Sequence, residues 1–243
     1  MALFMNIGYI KANWEKLRNI DTITGSSGGA VIGLFLAMGW HPERIMDALL
    51  SIHPDTCAKK SIRNLLTRFG YIKTESLKRA LLKVCESNPT FSELKKTFYV
   101  TSYCVSSHKT VYFSNFTHPD MYVIDAILGS VAIPFILEPL RYQGDLYVDG
   151  GTAELWPFSA PIGWKAEECL LIRTTFKKID FHEIKNMWEY CKAFIHAIFR
   201  SMRIQIEIPC KFVILEAEKY DVMDFNMSYE TKLRMIMDGA TIF

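Results

Sequence analysis

The chain has 243 residues, half of them hydrophobic, and a formal net charge of +2. That length and apolar content suit one sizeable hydrophobic core, and an α/β domain of this size is ordinary. So small a net charge excludes the general footprint of a nucleic-acid binder. The longest apolar run, Ala30 to Trp40, is too short to span a bilayer.

In chain order, Asn6 to Leu17 reads as an amphipathic helix, and Asp21-Thr-Ile-Thr24 as a short β-run. Gly25-Ser26-Ser27-Gly28-Gly29 follows and opens into the apolar helical run Ala30 to Met38, which Gly39 stops. Pro42 starts another helix reaching about Ile52. Thr74 caps a helix running to about Cys85. Phe98 to Val105 and Thr110 to Ser114 are rich in β-formers and predict a pair of strands. Tyr142 to Val148 reads as a hairpin turning at Gln143-Gly144-Asp145. Cys169 to Thr175 and Phe212 to Leu215 are further strand candidates. Between them, Asp180 and Glu183 resemble a capping box opening a long helix. The stripe Ile184, Trp188, Cys191, Ile195, Ile198 and Met202 keeps that helix's 3.6 period. Ser228 caps a last helix that Gly239 is expected to end. Helices interleaved with short strands predict a layered α/β domain. No linker, low-complexity tract or repeat divides residues 1–243, which read as a single domain.

The pentapeptide carries the chemistry. As G-x-S-x-G between a strand and a helix, it puts Ser27 at the tip of a sharp turn, with Gly25 and Gly29 permitting the bend. Ser26 competes, but only Ser27 stands at the centre of the motif. The following helix aims free N–H groups, Gly28 first, and its positive dipole end at the place where an oxyanion would form. A serine hydroxyl needs a base. Asp149, at the end of the run Leu146-Tyr-Val-Asp149-Gly150-Gly151, supplies one candidate, because the two glycines leave its carboxylate uncrowded. The bland alternative is a plain Asp-Gly-Gly turn. A Ser-acid-His triad would need His182 or His196, but both fall in a helix and not in a loop after a strand, so a dyad is preferred. His41, His53, His108 and His118 have no metal-ligand spacing, and no cofactor is called for.

Cys57, Cys85, Cys104, Cys169, Cys191 and Cys210 form no C-x-x-C pair and read as reduced thiols. The first residues, Met1-Ala-Leu-Phe-Met-Asn6, lack a basic region ahead of a continuous apolar core, so no secretory signal is read there. Both point to an intracellular, cytoplasmic protein. Eight basic residues (Lys59, Lys60, Arg63, Arg68, Lys73, Lys78, Arg79, Lys83) face one acid, Glu75, between Lys59 and Lys83. Two readings stand: a solvated basic face, or a surface resting on anionic lipid as a peripheral membrane contact.

These motifs together resemble the patatin-like phospholipases, lipid acyl hydrolases built on a Ser–Asp dyad. Ile7-Gly8 in the first helix, Thr22-Ile-Thr-Gly-Ser-Ser-Gly-Gly29, and Asp125-Ala-Ile-Leu-Gly-Ser130-Val-Ala-Ile-Pro134-Phe135 match the family. So do Glu138-Pro139, Tyr147-Val-Asp149-Gly-Gly151 and Pro157, while Leu155 replaces the family's usual asparagine. The resemblance implies a layered α/β fold with a mostly parallel central sheet flanked by helices. It implies Ser27 as nucleophile, Asp149 as general base, an acyl-enzyme and a lipid ester substrate. It also implies a β-strand and a G-G-G-x-(R/K)-G loop of oxyanion donors ahead of the first helix, yet Met1 lies at or inside that helix. The expectation is therefore either that the natural product begins further upstream or that this chain is a catalytically impaired lipid-binding or scaffold relative.

Overall fold

A computed structural model describes residues 2–52, 61–152, 157, 165, 168–175, 184–202, 210–221, 224 and 226–242. Lys59, Lys60, Leu155, Asp180, His182 and Glu183 lie outside the described residues. The architecture is α/β, with helices flanking a mixed sheet. At its centre runs β3 (Thr97–Cys104), paired in parallel with β1 (Thr22–Ser26). Three antiparallel pairings complete it: β3 with β4 (Lys109–Ser114), β3 with β7 (Asp145–Asp149), and β7 with β6 (Leu140–Tyr142). Two smaller parallel pairs are β2 (Gly70–Ile72) with β5 (Phe135–Leu137), and β8 (Leu170–Thr174) with β9 (Lys211–Leu215). Parallel pairing thus holds where long crossovers join the partners. Where a short hairpin joins the partners, β3 to β4 and β6 to β7, the pairing is antiparallel because a tight turn can only reverse the chain, and β7 also meets β3 antiparallel after a long connection. The β6–β7 turn has positive φ at Gln143 (49°) and Gly144 (87°), the backbone sense that matches strand twist in a two-residue hairpin.

The first helical segment departs from its expected bounds. Helix α1 (Leu3–Ala12) starts earlier, and the chain breaks at Asn13 before α2 (Trp14–Leu17). Asn13 leaves the helical region (φ −107°, ψ 20°) and its side-chain amide donates to the Tyr9 carbonyl, competing with helix continuation. Nor is α1 a surface helix: Phe4, Met5, Ile7, Gly8, Tyr9 and Ile10 are all buried. It crosses the terminal helix α9 (Tyr229–Ala240), which Ser228 caps by accepting from the Thr231 N–H. Gly239 does not end α9. It sits within that helix because a Cβ there would lie 2.1 Å from the Met5 carbonyl oxygen, while a Cβ at Gly8 would lie 2.0 Å from that of Ile236.

Helix α3 (Gly28–Ala37) is buried along most of its length, from Ala30 to Ala37. It presses on the sheet through Gly33, where a Cβ would fall 2.4 Å from the Phe98 ring. Burying side chains such as Leu34 and Phe35 contributes ~1.5–3 kcal/mol each, which anchors the serine turn at the helix start. Pro42 opens α4 (Pro42–Ser51), and α5 (Ile62–Arg68), for which no helix was predicted, precedes β2. Helix α6 spans Thr74–Cys85 with Lys73, not Thr74, at its N-cap. Helix α7 (Val123–Ser130) delivers Ser130 to the site, and α8 spans Met187–Met202 with Ile195 buried.

Candidate active site

The chain turns from β1 into α3 at Ser27, whose backbone lies at φ 53°, ψ −125°. Such a conformation in a non-glycine residue costs about 1–3 kcal/mol and persists only where its surroundings enforce it. Two constraints do so. A Cβ at Gly25 would lie 2.7 Å from the Ala30 backbone, so only glycine admits this approach of strand to helix. The Ser27 N–H donates to the buried Ser130 Oγ at 2.9 Å, which fixes the peptide. Ser27 occupies the N-cap position of α3, yet its side chain makes no capping bond. The hydroxyl is therefore not consumed by the helix and stays available.

Pairing along β3 brings the second residue to it. One edge of β3 is taken by β4 over Tyr99 to Cys104. The other edge is shared: β1 pairs along Thr97 to Thr101, and β7 along Ser102 to Cys104. The two strands run toward each other and stop at neighbouring positions, Ser26 opposite Thr101 and Asp149 opposite Ser102. Ser27 and Asp149 thus leave two strand ends that meet head to head. Gly150 is required by this junction, since a Cβ there would lie 2.5 Å from the Thr101 carbonyl oxygen.

Asp149 is 1% exposed. Its own N–H donates to the Ala132 carbonyl, and Oδ1 accepts from the Gly151 N–H at 2.8 Å. Burial pushes its carboxyl from the ordinary 3.8 up to about 6, against the Ser27 hydroxyl and the Gly151 N–H, which favour the ionised form. Oδ2 has no regular hydrogen bond among the described residues. The Ser27 hydroxyl is near enough to influence the carboxylate without meeting ideal bonding geometry, and catalytic contacts commonly tighten only when substrate is bound.

Gly28 and Gly29 begin α3, so helix geometry leaves their N–H groups without intrahelical acceptors. Ser27's own N–H is already committed to Ser130, which makes Gly28 the first free donor after the hydroxyl. A Cβ at Gly29 would face open space, and one at Gly28 would meet Leu3, in the first turn of α1, at 3.5 Å. Both helix starts therefore converge on the serine turn.

Of the residues singled out from sequence, Ser27, Gly25, Gly28, Gly29, Asp149, Gly150 and Gly151 come together here. His196 lies inside α8, and no histidine among the described residues perturbs Asp149. Ser130 had a motif position but no assigned task; the structure shows its hydroxyl holding the turn. The Ala132 carbonyl that positions Asp149 carries no side-chain signal at all.

A strained serine between a strand and a helix, facing a buried carboxylate, defines a protein with a serine-elbow α/β site. The sequence profile of the patatin-like phospholipases matches residues 1–162, and the chain belongs to that family. It is 29% identical over 167 residues to Uncharacterized protein R571 of Acanthamoeba polyphaga mimivirus, covering 64% of this chain and 56% of that one. It is 26% identical over 159 residues to Probable lipid hydrolase 463L of Invertebrate iridescent virus 6, covering 60% and 55%. The chain thus spans about half the length of these curated relatives. In three dimensions it resembles VipD from Legionella pneumophila with a TM-score of 0.61 at 15% identity, covering 98% of this chain and 63% of that one. That likeness concerns the fold. Among the described residues, no helix is long and apolar enough to cross a membrane.

Proposed function

We propose that the chain is a serine lipid acyl hydrolase of the phospholipase A, lysophospholipase or esterase type, working through a Ser27–Asp149 dyad. The observation that carries this reading is the convergence of β1 and β7 on one edge of β3, which sets a strained, uncapped serine against a buried carboxylate of raised pKa. Asp149 takes the Ser27 proton as Oγ attacks the ester carbonyl carbon. The oxyanion forms at the start of α3, where the Gly28 N–H donates to it. Collapse breaks the ester C–O bond, and the proton on Asp149 passes to the leaving alcohol or lysolipid. Asp149 then deprotonates water, which attacks the acyl carbon; the acyl C–Oγ bond breaks, the proton on Asp149 returns to the Ser27 oxygen, and the fatty acid is released. A carboxylate at its ordinary pKa is a weak base at neutral pH; raising that pKa to about 6 narrows the mismatch while keeping the group mostly ionised.

Family membership and the named lipid hydrolase relative support a lipid ester as substrate. The test is labelling with a fluorophosphonate probe, followed by hydrolysis assays on a lipid panel. Labelling lost in Ser27→Ala, with hydrolysis lost in both Ser27→Ala and Asp149→Asn, is the expected result. No labelling of folded protein would favour a lipid-binding relative without turnover, and hydrolysis retained in Asp149→Asn would remove Asp149 from the mechanism.

A further inference from the structure

Helix α5 is inside out. Its buried residue is the polar Asn64, whose amide donates to the Gly70 carbonyl at 2.6 Å. The apolar residues Ile62, Leu66 and Phe69, at positions i, i+4 and i+7, form an outward stripe, 67%, 75% and 52% exposed. Phe69 ends the helix at φ 69°, a left-handed conformation usually left to glycine. Phe135, opposite Gly70 in the β2–β5 pair, repeats the pattern at φ 66° and is 54% exposed. Bulky residues at positive φ are outliers, and here two neighbouring ones turn aromatic rings into solvent.

The patch adjoins the serine site. Phe135 lies three residues beyond Ala132, whose carbonyl accepts from the Asp149 N–H. Three residues of extended chain reach at most ~11 Å. Its border is cationic. No acidic residue occurs from Ser61 to Thr74, and Arg63, Lys73 and Arg141 are exposed. Arg141 lies over the Phe69 ring at 5.5 Å, while Arg68 is paired with Glu138 at 3.0 Å. Apolar side chains bordered by Arg63, Lys73 and Arg141, which have no ion-pair partner among the described residues, match a surface with an acyl interior and anionic headgroups.

We propose that Ile62, Leu66, Phe69 and Phe135 insert into the surface of an anionic lipid bilayer, with Arg63 and Arg141 on its headgroups, and so set the serine site against its substrate. The choice of a lipid occupant rests on the acyl hydrolase reading. The lipid-facing surface expected over Lys59 to Lys83 is thereby narrowed: Lys78 is paired with Asp125 at 2.6 Å and Arg79 with Glu75 at 3.8 Å, so α6 contributes less free charge.

The experiment is co-sedimentation of the full chain with phosphatidylcholine vesicles, with and without phosphatidylserine. It is run beside hydrolysis of a water-soluble short-chain ester and fluorophosphonate labelling. The parent should prefer the anionic vesicles. The double variant Ile62→Gln/Leu66→Gln should weaken partitioning about tenfold or more, and Phe135→Gly, which suits the positive φ, should also weaken it. Ester hydrolysis by the double variant should stay within about twofold of the parent, since neither residue touches the dyad. Parent protein that ignores vesicles, variants that bind as well as parent, or equal binding to both vesicle types would overturn the proposal. So would a patch-dependent dimer by light scattering. Vesicle binding without fluorophosphonate labelling would sink the hydrolase reading alone, and labelling without vesicle binding would sink only the membrane surface.

Discussion

Replacing Asp149 by asparagine should abolish turnover and make the protein more stable. In the folded chain burial raises the Asp149 pKa from 3.8 to about 6, so the fold holds a carboxylate it would prefer protonated. Well below pH 3.8 the group is neutral in both states and costs nothing by this route. Between about pH 4 and 6 the unfolded chain ionises first, and the folded state loses ground at ~1.4 kcal/mol per pH unit. Above about pH 6 both states are ionised, and a penalty of ~3 kcal/mol remains constant. Asparagine carries no charge, keeps an oxygen for the Gly151 N–H, and offers an N–H toward the Ser27 hydroxyl. Asp149→Asn should therefore melt about 6–12 °C above the parent at neutral pH, for a chain of this length. The gap should close as pH falls toward 4. Differential scanning calorimetry of both proteins across that range reads the effect directly. A variant no more stable than the parent at pH 7, or a gap independent of pH, would refute the assignment of a buried ionised Asp149.

The rate of soluble-ester hydrolysis should rise with pH through an apparent pKa near 6, because the proposed mechanism uses the base form of Asp149; a pH profile of kcat/KM flat from about 5 to 8 would contradict this. Ser130→Ala removes the acceptor of the Ser27 N–H and should cost about 1–3 kcal/mol by denaturant titration, with kcat falling more than KM rises, whereas Ser130→Thr should recover part of both. Gly239→Ala places a methyl group 2.1 Å from the Met5 carbonyl and should destabilise the α1–α9 crossing by ~1–3 kcal/mol or more, visible as a lower Tm.

Much of the local structure was legible because short-range rules govern it. Gly25, Ser27 and Gly29 announce a strand-to-helix turn, Pro42 opens α4 and Ser228 caps α9 as local chemistry requires. Boundaries were missed where a distant contact overrode the local signal. Gly239 reads as a helix end, yet the α1 backbone makes glycine necessary inside α9. Helix α5 escaped sequence reading because its outward apolar stripe and buried Asn64 invert the pattern by which surface helices are recognised.

What the sequence determined by itself is a serine turn, a carboxylate at a strand end, and the glycines that flank both. What only tertiary structure decided is that the two strand ends meet. Ser27 is held by Ser130, 103 residues away, and Asp149 reaches it because β1 and β7 share one edge of β3 and end at adjacent positions. The physical reason is range: turn and cap preferences arise between residues a few positions apart, whereas strand pairing is chosen by the burial of whole faces and leaves little local trace. The raised pKa of Asp149 has the same origin, since it comes from the packed layers around the carboxylate and not from its neighbours in the chain.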